Sequence, residues 1–268
     1  MAMTRGARRG LVLGHEFVGT VAESAAAGFE SGTCFAGNPL ITCSVCDYCV
    51  QGRNNLCANR TMVGMTRPRA YAEFMGIPAA SLVAMPQDML DVAAALTEPA
   101  ATAWHAINLS LRVLPRPMHE CRVLVIGGGA IGLLAGLLLR HLGVTHLTLS
   151  EPNPLRRAAV QTHVGFDILD PRVQAPGENQ YDYVLDAVGA KVTRQQAFTA
   201  IRPGGVIMHV GLQDWASAID MHKLTLSEIT PLGTYPYTTA DLRATVAALN
   251  AGVFGDLAWV EHQPLAEG

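Results

Sequence analysis

The chain contains 268 residues, of which 50% are hydrophobic, so it is long enough to bury the core of one large domain or of two ordinary ones. Its formal net charge of −3 provides no positive field that would attract polyanions, which argues against nucleic acid as a partner. The longest apolar stretch, residues 123–139, is interrupted by glycines and falls short of a bilayer span, so we expect a soluble globular protein without a membrane segment.

The start of the chain lacks the apolar segment and the small-residue cleavage site of a signal peptide. We therefore expect a cytoplasmic protein whose six cysteines stay reduced. In a reducing compartment, clustered cysteines indicate a metal site more often than a disulfide.

The first hundred residues have the pattern of a small β-rich domain. Short apolar and β-branched runs, for example at residues 17–22 and 82–85, alternate with glycine and proline turn signals. A domain boundary is expected near residues 104–116, because Pro115 and Pro117 interrupt the chain at this junction. We place the first predicted domain at residues 1–108.

The six cysteines divide into a cluster of four and two isolated residues. The four are spaced C-x2-C-x2-C-x7-C, and four thiolates this close in sequence can converge on one tetrahedral zinc that has no position left for substrate. The spacing predicts a structural zinc site; the alternative is a group of unpaired or redox-active cysteines. The predicted ligands are Cys43, Cys46, Cys49 and Cys57. The isolated pair, expected to be buried free thiols on strands, is Cys34 and Cys121.

From Cys121 onward the pattern changes to apolar strands that alternate with helices. Strands are expected at residues 121–126 and 147–150, and further ones around residues 184, 207 and 229. This alternation predicts an α/β domain with a doubly wound parallel sheet of the Rossmann type. We place this predicted domain at residues 109–250.

A glycine turn follows the first strand of this domain and fits the pattern G-x-G-x-x-G. Gly127 permits the tight turn, Gly129 lets the backbone approach a pyrophosphate, and Gly132 lets the following helix pack against the strand. The amino end of that helix adds amide donors and a favourable dipole for phosphate. The turn therefore predicts a dinucleotide cofactor, and the alternative is a glycine-rich bend without a ligand.

Glu151 ends the second predicted strand, about 20 residues after the glycine turn. A carboxylate at this place accepts both ribose hydroxyls and repels a 2′-phosphate, which favours NAD over NADP. Arg156 and Arg157 follow closely. They either soften this preference or are solvated arginines of a helix surface.

These motifs, in this order, resemble the zinc-type medium-chain dehydrogenase/reductase family, the family of the alcohol dehydrogenases. Leu13-Gly14-His15-Glu16, followed by Gly19, matches its G-H-E motif, and the cysteine lobe and the glycine turn follow in the family's order. Glu98-Pro99 resembles the sorbitol and threonine dehydrogenase branch. The resemblance runs from about residue 11 to the end of the chain, and it implies a GroES-like catalytic domain beside the Rossmann domain.

Carried over by motif, the resemblance implies a second, catalytic zinc. His15 and Glu98 would be its ligands, and Glu16 a neighbouring carboxylate that holds the zinc's water or exchanges with it. It also implies that Thr102 lies beside the nicotinamide and Ile131 against its ring. Taken alone, the histidine would be structural and the apolar residues ordinary core. The strand ends that the resemblance places at the cofactor are Val188-Gly189 and Val210-Gly211.

Both ends of the chain depart from the family pattern. The family carries a further cysteine ligand before the G-H-E motif, and nothing in residues 1–10 resembles that segment. Residues 259–265 resemble the point where the family's chain returns to the catalytic domain, so residues 251–268 are expected to begin that return. A fragment, a mis-started reading frame and a natural short variant are all open. With one ligand fewer, we expect a loosely held second zinc and weak or absent alcohol oxidation.

The implied activity is zinc-dependent hydride transfer between NAD(H) and a secondary alcohol, on a polyol, a sugar acid or an amino acid. The partners implied are a small-molecule substrate and further copies of the chain, in a dimer or tetramer. A rival hypothesis is a catalytically impaired remnant of such an enzyme, which is stabilised by the structural zinc and binds NAD(H) or a partner subunit without turnover. A zinc-ribbon protein that binds nucleic acid is disfavoured, because the cysteine lobe lacks interleaved aromatic and basic residues.

Overall fold

The computed structural model describes residues 13–67, 70–89 and 91–267. Within these ranges, no helix combines the length and the apolar character that crossing a membrane requires. Residues 1–10, in which the sequence lacks the family's cysteine segment, lie outside the described residues.

The described chain forms two compact units, each assembled from separate stretches. The first contains the residues up to Ala101, then Tyr237–Gly252 and the residues from Val260 onward. The second contains Thr102–Pro236 and Val253–Trp259. The domain boundaries expected from the sequence, after residues 108 and 250, stay a prediction.

A small antiparallel sheet organises the first unit. Its strands β1 (Val18–Thr20), β2 (Cys34–Gly37) and β5 (Leu82–Ala84) pair in the order β1-β2-β5. Apolar side chains from these strands and their flanks form a buried cluster, which contains Val21, Phe35 and Leu82. The β-rich character of this part follows from short runs in which every second side chain can face such a cluster.

A two-stranded antiparallel pair brackets the cysteine lobe. β3 (Leu40–Ile41) pairs with β4 (Thr61–Met62), and the chain between them forms the short helix α1 (Asp47–Val50) and a 3₁₀ turn at Asn54–Leu56. This strand pair closes the base of a loop, and all four clustered cysteines lie in that loop.

A six-stranded parallel sheet is the centre of the second unit. Its strands in chain order are β6 (Arg122–Ile126), β7 (His146–Ser150), β8 (Asp167–Leu169), β9 (Tyr181–Asp186), β10 (Ile201–His209) and β11 (Thr230–Gly233). Their spatial order is β11-β10-β9-β6-β7-β8, and every adjacent pair is parallel. The chain starts in the middle, fills one side and then crosses to the other, which confirms the predicted doubly wound sheet.

Helices connect the strands of this sheet and begin at recognisable caps. The Asn153 side chain accepts hydrogen bonds from the first turn of one of them, and Pro154 occupies the first helical position, where its missing N–H costs nothing. The helices are α4 (Ala130–His141), α5 (Pro154–His163), α6 (Lys191–Ala200) and α7 (Met221–Leu226). The predicted first strand begins one residue later than expected, because Cys121 follows directly on a 3₁₀ turn.

Three more helices contribute to the first unit. α2 (Asp91–Ala95) and the first turn of α3 (Thr97–Leu111) follow the small sheet, and α8 (Thr239–Asn250) returns from later in the chain. α8 starts with a capping box in which the Thr238 hydroxyl accepts the N–H of Asp241 and the Asp241 carboxylate accepts the N–H of Thr238. The cap defines where this returning segment becomes helical.

Almost all residues in the central strands of the parallel sheet are buried. All six residues of β9 are buried, as are the last four residues of β6. Such strands read as continuous apolar runs because helices cover both faces of a parallel sheet. The exceptions in β9 are two buried acids, Asp182 and Asp186.

Asp182 ties the amino ends of three neighbouring strands together. Its Oδ2 accepts the backbone N–H of Arg122, the first residue of β6, at 2.9 Å. Its Oδ1 lies 3.0 Å from the guanidinium of Arg202 on β10 and 3.4 Å from that of Arg116. A buried carboxylate held by three donors fixes the register of the strands that carry the cofactor turn at their other end.

Replacing Asp182 by Ala should lower the free energy of unfolding by about 2 kcal/mol, because the N–H of Arg122 loses its acceptor and two partly exposed ion pairs are removed. The exposed Asp167 on β8 offers a matched control, and Asp167→Ala should change stability by less than about 0.5 kcal/mol. Urea unfolding followed by circular dichroism measures both. Equal effects of the two substitutions would contradict the role given to Asp182.

Candidate functional site

The four clustered cysteines converge in space. Their sulfur atoms lie within 4.8 Å of one another, and none of these cysteines is in a disulfide. The Cys43 sulfur lies 3.9 Å from that of Cys49 and 3.6 Å from that of Cys57. A tetrahedral zinc with Zn–S bonds of about 2.3 Å separates its sulfurs by roughly 3.8 Å. The four sulfurs of Cys43, Cys46, Cys49 and Cys57 therefore have the spacing that one closed zinc site requires.

The backbone of the lobe also favours the charged form of a thiol. The N–H groups of Val45 and Cys46 donate to the Cys43 sulfur and lower the pKa of this thiol to about 6, whereas burial and the neighbouring sulfurs raise the pKa of Cys46 to about 11, so the backbone favours the thiolate at Cys43 in particular. Ser44, between Cys43 and Val45, takes a positive φ of 61° at this bend of the loop. Since the thiolate is the form that binds metal, the loop prepares its first ligand for the ion.

The two isolated cysteines have different surroundings. Cys121 is fully buried, donates its thiol to the carbonyl of Pro117 at 3.5 Å, and has its pKa raised to about 11 by burial. Cys34 on β2 is only partly buried, so the expectation of a buried thiol is wrong for this residue. Cys34 is the first residue of β2, and the three residues that follow it in this central strand are buried, so the partial exposure is confined to the end of the strand.

His15, Glu16 and Glu98 form a second cluster, entirely within the first unit. Their candidate ligand atoms lie within 4.8 Å of one another. His15 and Glu16 precede β1, and Glu98 lies in the first turn of α3. The imidazole is half-buried, Glu16 is exposed and Glu98 is 7% exposed. One nitrogen and two carboxylates at this separation fit a metal that keeps an open position.

Gly14 explains why the His-Glu pair points as it does. Its φ is +97°, and a Cβ atom built on it would lie 2.9 Å from the backbone nitrogen of Tyr71. Its carbonyl accepts the N–H of Ala70 at 3.1 Å, and Gly64 approaches so closely that a Cβ there would overlap this carbonyl. Only glycine allows both the left-handed conformation and the contact, so the turn before His15 is fixed by backbone packing.

Glu98 occupies an environment that disfavours its charge in the absence of a cation. Burial raises the pKa of its carboxyl to about 8, the hydrogen bond from the Tyr237 hydroxyl opposes this, and the nearby Glu16 carboxylate adds to it. A bound divalent cation inverts this balance because it is the largest local charge. The site is therefore suited to a cation and unfavourable for two bare carboxylates.

The predicted cofactor turn has the geometry that its glycines suggest. Gly127 has a φ of +100°, and a Cβ atom on it would lie 2.6 Å from the Val188 side chain. A Cβ on Gly132 would come within 1.9 Å of the Gly127 carbonyl oxygen. Gly129 caps α4 and has open space where a Cβ would stand. The turn is thus closed toward the protein and open at the helix amino end, as a phosphate cradle requires.

Glu151 is held rigidly beside this turn. Its Oε2 accepts the N–H of Gly128 and its Oε1 accepts the N–H of Asn153, both at 2.7 Å, and the residue is 3% exposed. Arg156 lies 3.9 Å from the carboxylate and stays largely in solvent. Arg157 instead donates to the Glu151 backbone carbonyl and pairs with Asp170 at 3.0 Å. The two arginines that the sequence left undecided therefore differ, and only Arg156 faces the Glu151 side chain.

Two strand ends on the other side of the turn are locked to each other. A Cβ on Gly189 would lie 1.8 Å from the carbonyl oxygen of Gly211, so the turns after β9 and β10 touch through their backbones. Both N–H groups of Val210 and Gly211 donate to the carbonyl of Asp186. Backbone contacts and hydrogen bonds therefore join the strand ends that contain Val188 and Val210.

Asp186 is a residue that the sequence reasoning missed. Although burial raises its pKa, hydrogen bonds from His209, the N–H groups of Gly189 and Val188, and the Thr193 hydroxyl bring it below its usual value. An acidic residue directly after the apolar run Tyr183-Val184-Leu185 is the signal that could have found it. Tyr237, which contacts Glu98, was also missed, and no local pattern marks it. The predicted nicotinamide neighbours Thr102, on α3, and Ile131, in the first turn of α4, are both half-buried.

Two family descriptions match this chain. Residues 1–87 match the alcohol dehydrogenase GroES-like domain, and residues 130–251 match the zinc-binding dehydrogenase family. The first match contains His15 and the cysteine lobe, and the second begins at the first residue of α4.

Curated relatives extend the similarity over most of the chain. The L-threonine 3-dehydrogenase of Idiomarina loihiensis is 30% identical over 235 residues, which are 84% of this chain and 67% of that protein. The L-threonine 3-dehydrogenase of Pseudoalteromonas atlantica is 27% identical over 263 residues, covering 94% of this chain and 76% of that protein.

Solved structures show the same fold. A zinc-binding dehydrogenase from Sinorhizobium meliloti, bound to NADP, superposes with a TM-score of 0.80 at 28% identity, over 90% of this chain and 73% of that one. An alcohol dehydrogenase from Thermus sp. ATN1 gives a TM-score of 0.83 at 25% identity, over 91% and 74%.

These similarities confirm the fold and the class of enzyme that the sequence predicted, and they place the chain among zinc-binding dehydrogenases. They also confirm the GroES-like character of the β-rich part. The roles of individual residues stay predictions. The chain belongs to the zinc-type medium-chain dehydrogenase/reductase family of alcohol oxidoreductases.

Proposed function

We propose that this chain transfers a hydride between NAD(H) and a secondary alcohol carried by a polyol, a sugar acid or an amino acid. The observation that carries the proposal is the convergence of His15, Glu16 and Glu98 within 4.8 Å, in a chain of the zinc-binding dehydrogenase family. The similarity to L-threonine 3-dehydrogenases supports an amino-acid alcohol as the first substrate to assay.

His15 and Glu98 are the proposed permanent ligands of a catalytic zinc, with Glu16 as the third. Zinc bound there supplies a Lewis acid that polarises the substrate oxygen. The half-buried imidazole and the buried carboxylate give the ion two fixed contacts. The exposed Glu16 can join or leave the ligand set without leaving an unpaired charge in the interior.

The proposed cofactor site is the carboxyl edge of the parallel sheet in the second unit. Gly127, Gly129 and Gly132 form the phosphate cradle, and the first-turn amides of α4 point toward it. Residues proposed to contact the nicotinamide half, on the strength of the family resemblance, are Thr102, Ile131, Val188, Val210 and Gly211.

Glu151 is the proposed determinant of NAD preference. Each of its oxygens accepts one backbone N–H, which leaves further lone pairs for two ribose hydroxyls. A 2′-phosphate at the same place would meet a buried negative charge. Arg156, at 3.9 Å, is a proposed cofactor contact on the solvent side, where it tempers this repulsion without removing it.

Cys43, Cys46, Cys49 and Cys57 are the proposed ligands of a structural zinc. Free thiols are needed for such a site, which supports a reducing, cytoplasmic location for the protein. An assembly of two or four identical chains is proposed from the family resemblance alone, and light scattering coupled to size-exclusion chromatography measures it.

Cys46→Ser should remove one zinc per chain and lower the thermal stability, because a closed thiolate site contributes on the order of 10 kcal/mol to folding. Cys34→Ser is the matched control, since Cys34 lies outside the cluster, and it should keep the zinc content. Elemental analysis and thermal unfolding report the result. Unchanged zinc in Cys46→Ser would overturn the lobe assignment.

The unaltered chain should bind NAD(H) more tightly than NADP(H), and Glu151→Ser should narrow the ratio of the two affinities about tenfold or more, since it removes charge-assisted hydrogen bonds and a repelling charge. Glu120→Ser, at an exposed carboxylate of the same unit, is the control. Fluorescence titration with both reduced cofactors gives the ratios. Equal affinities of the unaltered chain for the two cofactors would contradict the role of Glu151.

With zinc, NAD and threonine, polyols or sugar acids at mildly alkaline pH, His15→Ala should reduce any NADH formation by about a hundredfold, because the metal and the reacting oxygen lose their position. His119→Ala, at an exposed histidine, is the control. Turnover that survives His15→Ala would refute the proposed ligand set. The alternative of a dinucleotide-binding remnant predicts cofactor binding with no NADH formation by the unaltered chain.

A further inference from the structure

Tyr237 contacts Glu98 deep inside the first unit. Its hydroxyl donates to Oε1 of Glu98 at 2.9 Å, and the tyrosine is fully buried. The two residues are 139 positions apart in the sequence and both belong to this unit. A buried hydroxyl that donates to a buried carboxylate restricts that carboxylate to one orientation.

A metal-ligating glutamate needs such a restriction. Its side chain rotates about three bonds, so the unconstrained carboxylate samples several positions, and each position lost on binding costs entropy. With Oε1 held by the phenol, the lone pairs of Oε2 are left for the ion. Carboxylate ligands are commonly held by a hydrogen bond from a neighbouring group, and losing that group weakens metal binding by about 10–100-fold.

The segment that carries Tyr237 is itself anchored. The next residue, Thr238, is the cap of α8 and exchanges hydrogen bonds with Asp241. Thr239 donates its N–H to Oδ1 of Asn54 at 3.1 Å, and the Asn54 amide donates to the Thr239 hydroxyl at 3.0 Å. Asn54 lies three residues before Cys57, on the turn that closes the cysteine lobe. The phenol is therefore held in place by contacts that reach the predicted structural zinc.

From this geometry we infer that Tyr237 is a positioning residue for Glu98, and that Asn54 fixes Tyr237 by anchoring the start of α8. The inference rests on the proposed metal site of His15, Glu16 and Glu98. It assigns to the returning segment of the chain a role in metal binding that neither residue pattern nor sequence spacing shows.

The test uses the full chain with zinc in the cysteine lobe and titrates Co²⁺ into the second site. Tyr237→Phe should weaken Co²⁺ binding about tenfold or more and shift the d–d absorption bands, because one carboxylate ligand is no longer oriented. Tyr183→Phe is the matched control, since Tyr183 is also fully buried and hydrogen-bonded to one side chain, Ser110, at 3.0 Å. It should leave both affinity and spectrum unchanged.

Asn54→Ala provides a second variant that leaves the phenol in place. It should weaken Co²⁺ binding several-fold in the same direction, with the lobe still holding zinc by elemental analysis, and it keeps the test valid if Tyr237→Phe does not fold. Co²⁺ affinities and spectra of Tyr237→Phe and Asn54→Ala that match those of the unaltered chain would overturn the inference alone. So would equal weakening by Tyr237→Phe and Tyr183→Phe with an unchanged spectrum. Failure of the unaltered chain to bind Co²⁺ at the second site would overturn the proposed function, and the inference with it.

Discussion

The structure depends above all on carboxylates that are buried and held by donors. A carboxylate removed from water is costly unless hydrogen bonds or cations compensate it, so each buried one fixes the groups that surround it. Glu151 fixes the cofactor turn through the N–H of Gly128, and the Asp186 carboxylate accepts the N–H groups of Val188 and Gly189 in the turn after β9. Glu98 stands out because a hydrogen bond does not offset its burial, and its pKa is raised to about 8. That imbalance is what a cation would relieve.

The cysteine lobe also fixes the groups around it, but through sulfur atoms that can bind a metal rather than through buried carboxylates. Its helix α1 contains no buried residue, and the apolar side chains of Val45, Tyr48 and Val50 in the loop are exposed, so apolar burial does little to hold the loop. Four converging sulfurs offer a way to hold such a loop, since metal binding and folding are coupled in sites of this kind. Asn54 extends the effect, because it joins the loop to the start of α8 in the same unit. A local metal site can thus organise a segment that arrives from nearly two hundred residues later in the chain, as the separation of 185 positions shows.

The backbone conformation and close contacts of glycines shape the proposed cofactor site at the carboxyl edge of the parallel sheet. Gly127 and Gly189 both have positive φ angles, and a Cβ atom on either would collide with a neighbouring turn. The open position at Gly129, where a Cβ would meet nothing, lies at the amino end of α4. Close backbone contact on one side and space on the other is the arrangement that lets amide groups reach a phosphate. The switch of strand order between β6 and β9 places this opening at the middle of the sheet.

The sequence by itself determined the features that depend on neighbours along the chain. The spacing of the four cysteines, the glycine turn after β6 and the alternation of strands and helices each express a local requirement, and family, fold and class of enzyme followed from them. The tertiary structure alone decided the rest. Tyr237 meets Glu98, and Asn54 meets Thr239, across 139 and 185 positions, which no periodicity encodes. The tertiary structure also gives Arg156 and Arg157 different partners, and it leaves Cys34 partly exposed to solvent. Hydrogen-bond partners and solvent access depend on which distant segments pack against a residue.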